Sequence, residues 1–263
     1  MKLKKIIFFI FLIFYFLNSY SQLEFVEEKE IKAKQFSIDI LGNFYFLQNN
    51  NLRKTLSENN LTYNYDSKSN GLISQIDVSN PFVSLLYYKE INRIVFLDNN
   101  FSELRTPINL DDLGFFSTNI ICNSHKGFWL YDMQQSHISL IDNNLKTIAT
   151  GINLYQIIGN DSPVFMKETN NFIFLQLNSN KIIILDKFGN YFKTYKFNNT
   201  NYIDTFNDNI FLLDGQTLTK YSIQEDSETK VTIPKIDNII EFNVYNNFIY
   251  FLTNEKLIKY KFF

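Results

Sequence analysis

Residues 94–100 read IVFLDNN, residues 138–144 read ISLIDNN, and residues 182–188 read IIILDKF. The three phrases share one register: Ile94, Ile138 and Ile182 open them, and Asp98, Asp142 and Asp186 stop the apolar run at intervals of forty-four residues. The first two copies also agree further on, at Asn99, Asn100, Thr106, Ile108, Asn109 and Leu110 with the residues forty-four positions later. A period near forty in a chain of short apolar runs marks a supersecondary unit copied along the chain, and a unit of four strands is a propeller blade. Asp and Asn stop the runs because their side chains bond nearby backbone and tolerate left-handed geometry, which turns the chain.

Each unit reads as four short apolar segments separated by turn residues. The fourth unit is VFMKE, FIFLQL, KIIILD and YFKTYKF, and the third is NIICNS, GFWLYDM, HISLID and LKTIATGINL. FSIDIL opens the first unit, LISQIDV the second and YIDTF the fifth. The last group, IIEFNVY, FIYFLT and KLIKYKFF, is one strand short. LEFVEEKEI at 23–31 has no partner in its own neighbourhood, so it is the expected donor of the missing outer strand. The prediction is an all-β, six-bladed β-propeller closed by an N-terminal strand that completes the last blade, with five or seven blades also compatible with the pattern.

The first twenty-two residues, MKLKKIIFFIFLIFYFLNSYSQ, have three lysines, an apolar stretch from Ile6 to Leu17 and a small-residue end. That order is a secretory signal peptide, expected to be cut after Ser21. An uncleaved anchor, with Asn18 and Tyr20 at the membrane interface, is the alternative. The division is therefore 1–21 as signal peptide and 22–263 as one propeller domain, exported, with the periplasm preferred and an extracellular site possible. No transmembrane segment is expected after cleavage. The chain is expected to end within a strand, without a C-terminal sorting domain.

Composition narrows the partners. With 45% hydrophobic residues, 17% aromatic residues and a formal charge of -2, the chain can bury a sizeable core and has no basic stripe for nucleic acid. Cys122 is the only cysteine, so no intrachain disulfide forms, and an unpaired thiol in an exported protein is usually buried.

The phrase ILDKFGNYFKTY resembles the strand, turn and strand unit of NHL-type six-bladed β-propellers, and the mature chain is similar to small exported propeller proteins of Bacteroidota. It departs from the WD40 type, because Trp129 sits in a mid-blade strand and no Gly-His pairs precede the blades. It also lacks the acylated Cys of the lipoprotein propellers. The resemblance implies a periplasmic accessory of an outer-membrane machine, with the type IX secretion translocon as one such machine.

No HExxH, GxSxG, Walker A, GxGxxG or paired CxxC motif occurs, so no catalytic residue, metal or cofactor is assigned. Asn160 with Asp161, and Asp204 with Asp208, offer oxygen ligands suited to calcium, but Asp and Asn between strands are ordinarily turn formers. Asp111 and Asp112 read as loop residues. Phe44, Phe46, Phe172, Phe174, Phe248 and Tyr250 alternate along second strands and should pack between blades. Tyr87, Tyr88, Phe115 and Phe116 fall beside predicted loops and are the candidate binding aromatics. The expected function is a non-enzymatic, monomeric binding or scaffold module whose partner is another envelope protein. A glycan-binding or glycan-cleaving site at the central channel mouth is the alternative, favoured if three or more Asp, Glu or His side chains converge there.

Overall fold

The computed structural model describes residues 23–66, 70–198, 200 and 202–262, so the predicted signal peptide lies outside the described residues. The described chain forms six four-stranded antiparallel sheets. Blade 1 is β2 (Gln35–Ile38), β3 (Phe44–Gln48), β4 (Asn51–Thr55) and β5 (Thr62–Asp66). Blade 2 is β6 (Gln75–Asp77), β7 (Ser84–Tyr88), β8 (Arg93–Leu97) and the short β9 (Ile108–Asn109). Blade 3 is β10 (Thr118–Ser124), β11 (Gly127–Asp132), β12 (His137–Asp142) and β13 (Thr147–Thr150). Blade 4 is β14 (Pro163–Glu168), β15 (Phe172–Leu177), β16 (Lys181–Asp186) and β17 (Tyr191–Lys196). Blade 5 is β18 (Tyr202–Phe206), β19 (Asn209–Asp214), β20 (Thr217–Ser222) and β21 (Ser227–Thr232). Blade 6 takes β22 (Ile239–Tyr245), β23 (Phe248–Thr253) and β24 (Lys256–Lys261) from the C-terminal region, and β1 (Glu24–Glu30) as its outer strand.

β1 runs antiparallel to β24, with Glu24 opposite Lys261 and Glu30 opposite Lys256. This is the expected closure. Every residue of β1 is exposed, and its four Glu and one Lys give the ring a charged outer edge that resists pairing with other chains.

The repeated aspartate has one job in all three copies. Asp98 accepts bonds from the Asn100 and Ser102 amides, both at 2.8 Å. Asp142 does the same for Asn144 and Lys146, and Asp186 for Phe188 and Asn190. Each loop joins the third and fourth strands of its blade, and the residue three positions after the aspartate is left-handed: Phe101 (φ 65), Leu145 (φ 62) and Gly189 (φ 85). The left-handed residue thus follows the Asn pair in the first two copies and Lys187–Phe188 in the third. Phe101 offsets the backbone cost by burying its ring in the seam between blades 1 and 2. The turn from β2 to β3 is built the same way, with Asp39 accepting from Leu41 and Asn43 and Gly42 left-handed.

Blades have two buried faces, so the core is distributed among the seams between neighbours. Leu85 and Tyr87 of blade 2 pack toward Phe128 and Leu130 of blade 3, whereas Leu86 and Tyr88 pack toward Tyr45 and Leu47 of blade 1. The second-strand aromatics do what alternation predicts: Phe46, Phe174 and Tyr250 are buried in seams, with Phe44, Phe172 and Phe248 packed at their margins. Cys122 is fully buried between blades 3 and 4, and burial pushes its thiol pKa up, so it stays an unreactive thiol. No helix among the described residues is long and apolar enough to cross a membrane.

Candidate functional site: the mouth of the central channel

The innermost strands β2, β6, β10, β14, β18 and β22 surround an axial channel. At the end where each turns into its second strand, the six hairpins enclose an open cavity of about 340 Å³ lined by Asp39, Asn123, His125, Lys167, Glu168 and Asp204, among others. A second cavity of about 240 Å³ continues along the axis, sharing Ile38, Ser79, Lys167 and Asp204 with the first and adding Gln75, Asp77 and Glu241.

Most of these polar groups are committed to holding the ring together. Asp204 Oδ1 lies 2.8 Å from Lys167 Nζ of blade 4, while its Oδ2 accepts the Val244 amide of blade 6 at 2.8 Å. One buried carboxylate therefore links three blades. Asp77 accepts the Asn123 amide at 2.9 Å, and Gln75 exchanges two bonds with the backbone of Ile121. Trp129 Nε1 donates to Glu168 at 2.7 Å across the seam between blades 3 and 4. Phe36 N donates to Glu241 at 2.6 Å across the closing seam. Asp39 is consumed within its hairpin by Asn43 and Tyr45. Burial raises the Glu168 carboxyl pKa, the Trp129 and Ser124 bonds opposing it. Burial likewise pushes Glu241 from 4.5 to about 8, because the loss of water outweighs its bond from Phe36 and Asp204 adds like charge.

The rim is apolar by contrast. Ile40 and Leu41 in the β2–β3 turn are 61% and 52% exposed, and Phe82 in the corresponding turn of blade 2 is 63% exposed. Tyr245 and Phe206 meet edge to face at 6.0 Å beside them, the Tyr245 hydroxyl donating to the Ile40 carbonyl at 3.4 Å.

The candidate aromatics are not assembled into a site. Tyr87 and Tyr88 are 1% and 0% exposed, a correction to their reading as surface residues. They end β7, and the Lys89–Ile91 turn that follows does not uncover them, since each is covered by a different neighbouring blade. Phe115 packs against the seam between blades 2 and 3. Phe116 is 69% exposed but precedes β10, at the end of that strand opposite His125. Of the oxygen ligands considered for calcium, Asp204 is paired with Lys167, and Asp208 accepts from Thr169 and from Asn171 Nδ2. Among the described residues no three His, Cys, Asp or Glu side chains are grouped so as to hold a metal ion. Asp111 and Asp112 lie in an exposed helical turn after β9. Sequence reasoning missed Lys167, Glu168 and Glu241, whose partners lie up to 205 residues away along the chain.

No family model matches the chain, and no curated protein does. Solved structures do match. Virginiamycin B lyase from Staphylococcus aureus superposes with a TM-score of 0.61 at 12% identity, covering 89% of this chain and 99% of that one. The Neurospora crassa Pan2 WD40 domain gives 0.60 at 10% identity, covering 88% and 89%, and BamB from Moraxella catarrhalis gives 0.53 at 8%, covering 91% and 100%. At such identities the likeness establishes the propeller fold, which hosts a lyase in one neighbour and other proteins in the rest.

Proposed function

We propose that this is an exported, non-enzymatic propeller that holds a partner protein of the cell envelope over the hairpin mouth of its channel. The observation that carries the reading is the division of labour at that mouth: Asp204 and Glu168 are spent on bonds between blades and Asp39 on bonds within its hairpin, while Ile40, Leu41 and Phe82 stand exposed around them. Large apolar side chains left in water beside one another mark surfaces that meet another protein. Export is supported by the order of charges and apolar residues in 1–21.

The test is affinity capture from solubilised envelopes with the wild-type protein and with an Ile40→Asp, Phe82→Asp double variant. Both substituted side chains are exposed, so folding should be retained. Capture by the wild type and not by the variant is the expected result. Recovery of free monomer in both cases would refute the reading.

A second reading has one specific observation behind it. Asp39, His125, Glu168 and Asp204 do converge on this cavity, beside the Phe206–Tyr245 aromatic pair, as a glycan site would require. Saturation-transfer NMR with envelope oligosaccharides separates the two, since a glycan site would show transfer that a Tyr245→Ala variant abolishes.

A further inference from the structure

The closing seam between blades 6 and 1 contains a second opening that shares no lining residue with the channel mouth. Phe44 and Phe46 of blade 1 and Tyr250 and Leu257 of blade 6 line a crevice of about 120 Å³ that Arg53 and Lys259 also line, with Phe44 and Tyr250 meeting edge to face at 5.7 Å. The register explains the arrangement: Arg53 is opposite Phe46 in the β3–β4 ladder, and Lys259 is opposite Tyr250 in the β23–β24 ladder.

The two cations are treated differently. Lys259 lies 3.6 Å from Glu27, and the same carboxylate is 3.8 Å from Lys29. Arg53 has the face of Phe46, at 5.5 Å from the ring centroid, and among the described residues its buried Nε has no hydrogen-bond partner. Two lysines thus share one anion, and the Arg53 guanidinium stands beside them at the edge of an apolar crevice. A planar guanidinium in that position is built to take a carboxylate through two parallel bonds. The crevice is somewhat smaller than a cavity of about 150 Å³ that accepts benzene. It has room for one ring or branched aliphatic group and not for a long acyl chain.

We propose that this crevice binds the C-terminal residue of a partner polypeptide, with an aromatic or large aliphatic side chain in the hollow lined by Phe44, Phe46, Tyr250 and Leu257 and its α-carboxylate on Arg53. The proposal does not depend on the channel-mouth reading, because its test uses purified protein and a defined peptide. The probes are N-acetyl-Gly-Gly-Gly-Phe as the free acid and as the C-terminal amide, titrated by calorimetry against the mature protein, Arg53→Met and Arg53→Lys. Arg53→Met keeps the apolar stem and deletes the charge. The free acid should bind at least tenfold more tightly than the amide, the preference should vanish in Arg53→Met, and Arg53→Lys should retain part of it. Equal affinity for acid and amide, an unchanged preference in a folded Arg53→Met, or no binding of either peptide at millimolar concentration would each overturn it.

Discussion

The seam between blades 3 and 4 and the seam between blades 6 and 1 hold the same kind of wedge against the same kind of neighbour, yet they are built differently. The first buries fourteen residues in one cluster, among them Trp129, Leu140, Met166, Leu175 and Ile183. The second buries five: Phe36, Phe46, Tyr250, Leu252 and Leu257. Where the first seam has aliphatic residues outside the aromatics, the second has Arg53, Lys259, Glu27 and Lys29. Apolar burial is the main source of cohesion between blades, so the closing seam is held by less of it. The lesson is that joining a ring through its two chain ends permits a looser contact at the join, and the loosened contact is where a crevice can open.

Truncation should expose this difference most strongly. Trp129→Ala removes a ring that is 1% exposed and takes one bond from the half-buried Glu168 carboxyl, so it should cost about 3–5 kcal/mol in chemical denaturation. Leu252→Ala in the closing seam should fall toward the lower end of the leucine range, about 2–3 kcal/mol, because the thinner cluster can relax around the gap. Equal losses would contradict the comparison.

A smaller loss should follow from Gly189→Ala. Gly189 has φ 85, and a Cβ there would stand 2.7 Å from the Gly151 Cα, in the close passage between blades 3 and 4. Strain and overpacking together should cost about 2 kcal/mol, read as a lowered denaturation midpoint with an unchanged slope.

The third expectation concerns pH. Glu241 has its carboxyl pKa raised from 4.5 to about 8 in the folded state, first by burial and then by Asp204. The folded protein therefore holds a proton that the unfolded chain releases between those values, so stability present at low pH should decline as pH rises from about 4.5 toward 8. Glu241→Gln keeps an acceptor for the Phe36 amide and should flatten the upper part of that decline. A profile identical to wild type in a melting series from pH 5 to 9 would show that Glu241 does not titrate there.

The smallest effect should come from the closing strand's own ion pair. Lys256 lies 2.7 Å from Glu28, but both side chains are largely in water. Lys256→Ala should leave the melting temperature unchanged, since the backbone ladder between β1 and β24 carries the closure.

Much of this molecule was readable in advance. The aspartate-terminated phrase marks the same hairpin three times because an Asp side chain can bond the amides two and four residues on whatever the rest of the fold does. The unpaired LEFVEEKEI segment identified the closure because a missing fourth strand and a spare strand require each other. The candidate site was less legible. Tyr87 and Tyr88 stand before a charged turn, and strand alternation says only that they point to opposite faces, not that both faces are covered. Arg53 and Glu241 carry no local signal, because what distinguishes them is a buried Nε without a partner among the described residues in one case and a partner 205 residues away in the other.

The sequence by itself determined the blade and its turns, since each depends on interactions within a few tens of residues, and it pointed to six copies, a number that the six sheets of the fold decided. Only the tertiary structure decided which polar groups became inter-blade ties, which aromatic residues were covered and where the ring stayed thin. Those outcomes depend on what a neighbouring wedge presents at a given height, and that neighbour is set by ring closure rather than by adjacency in the chain.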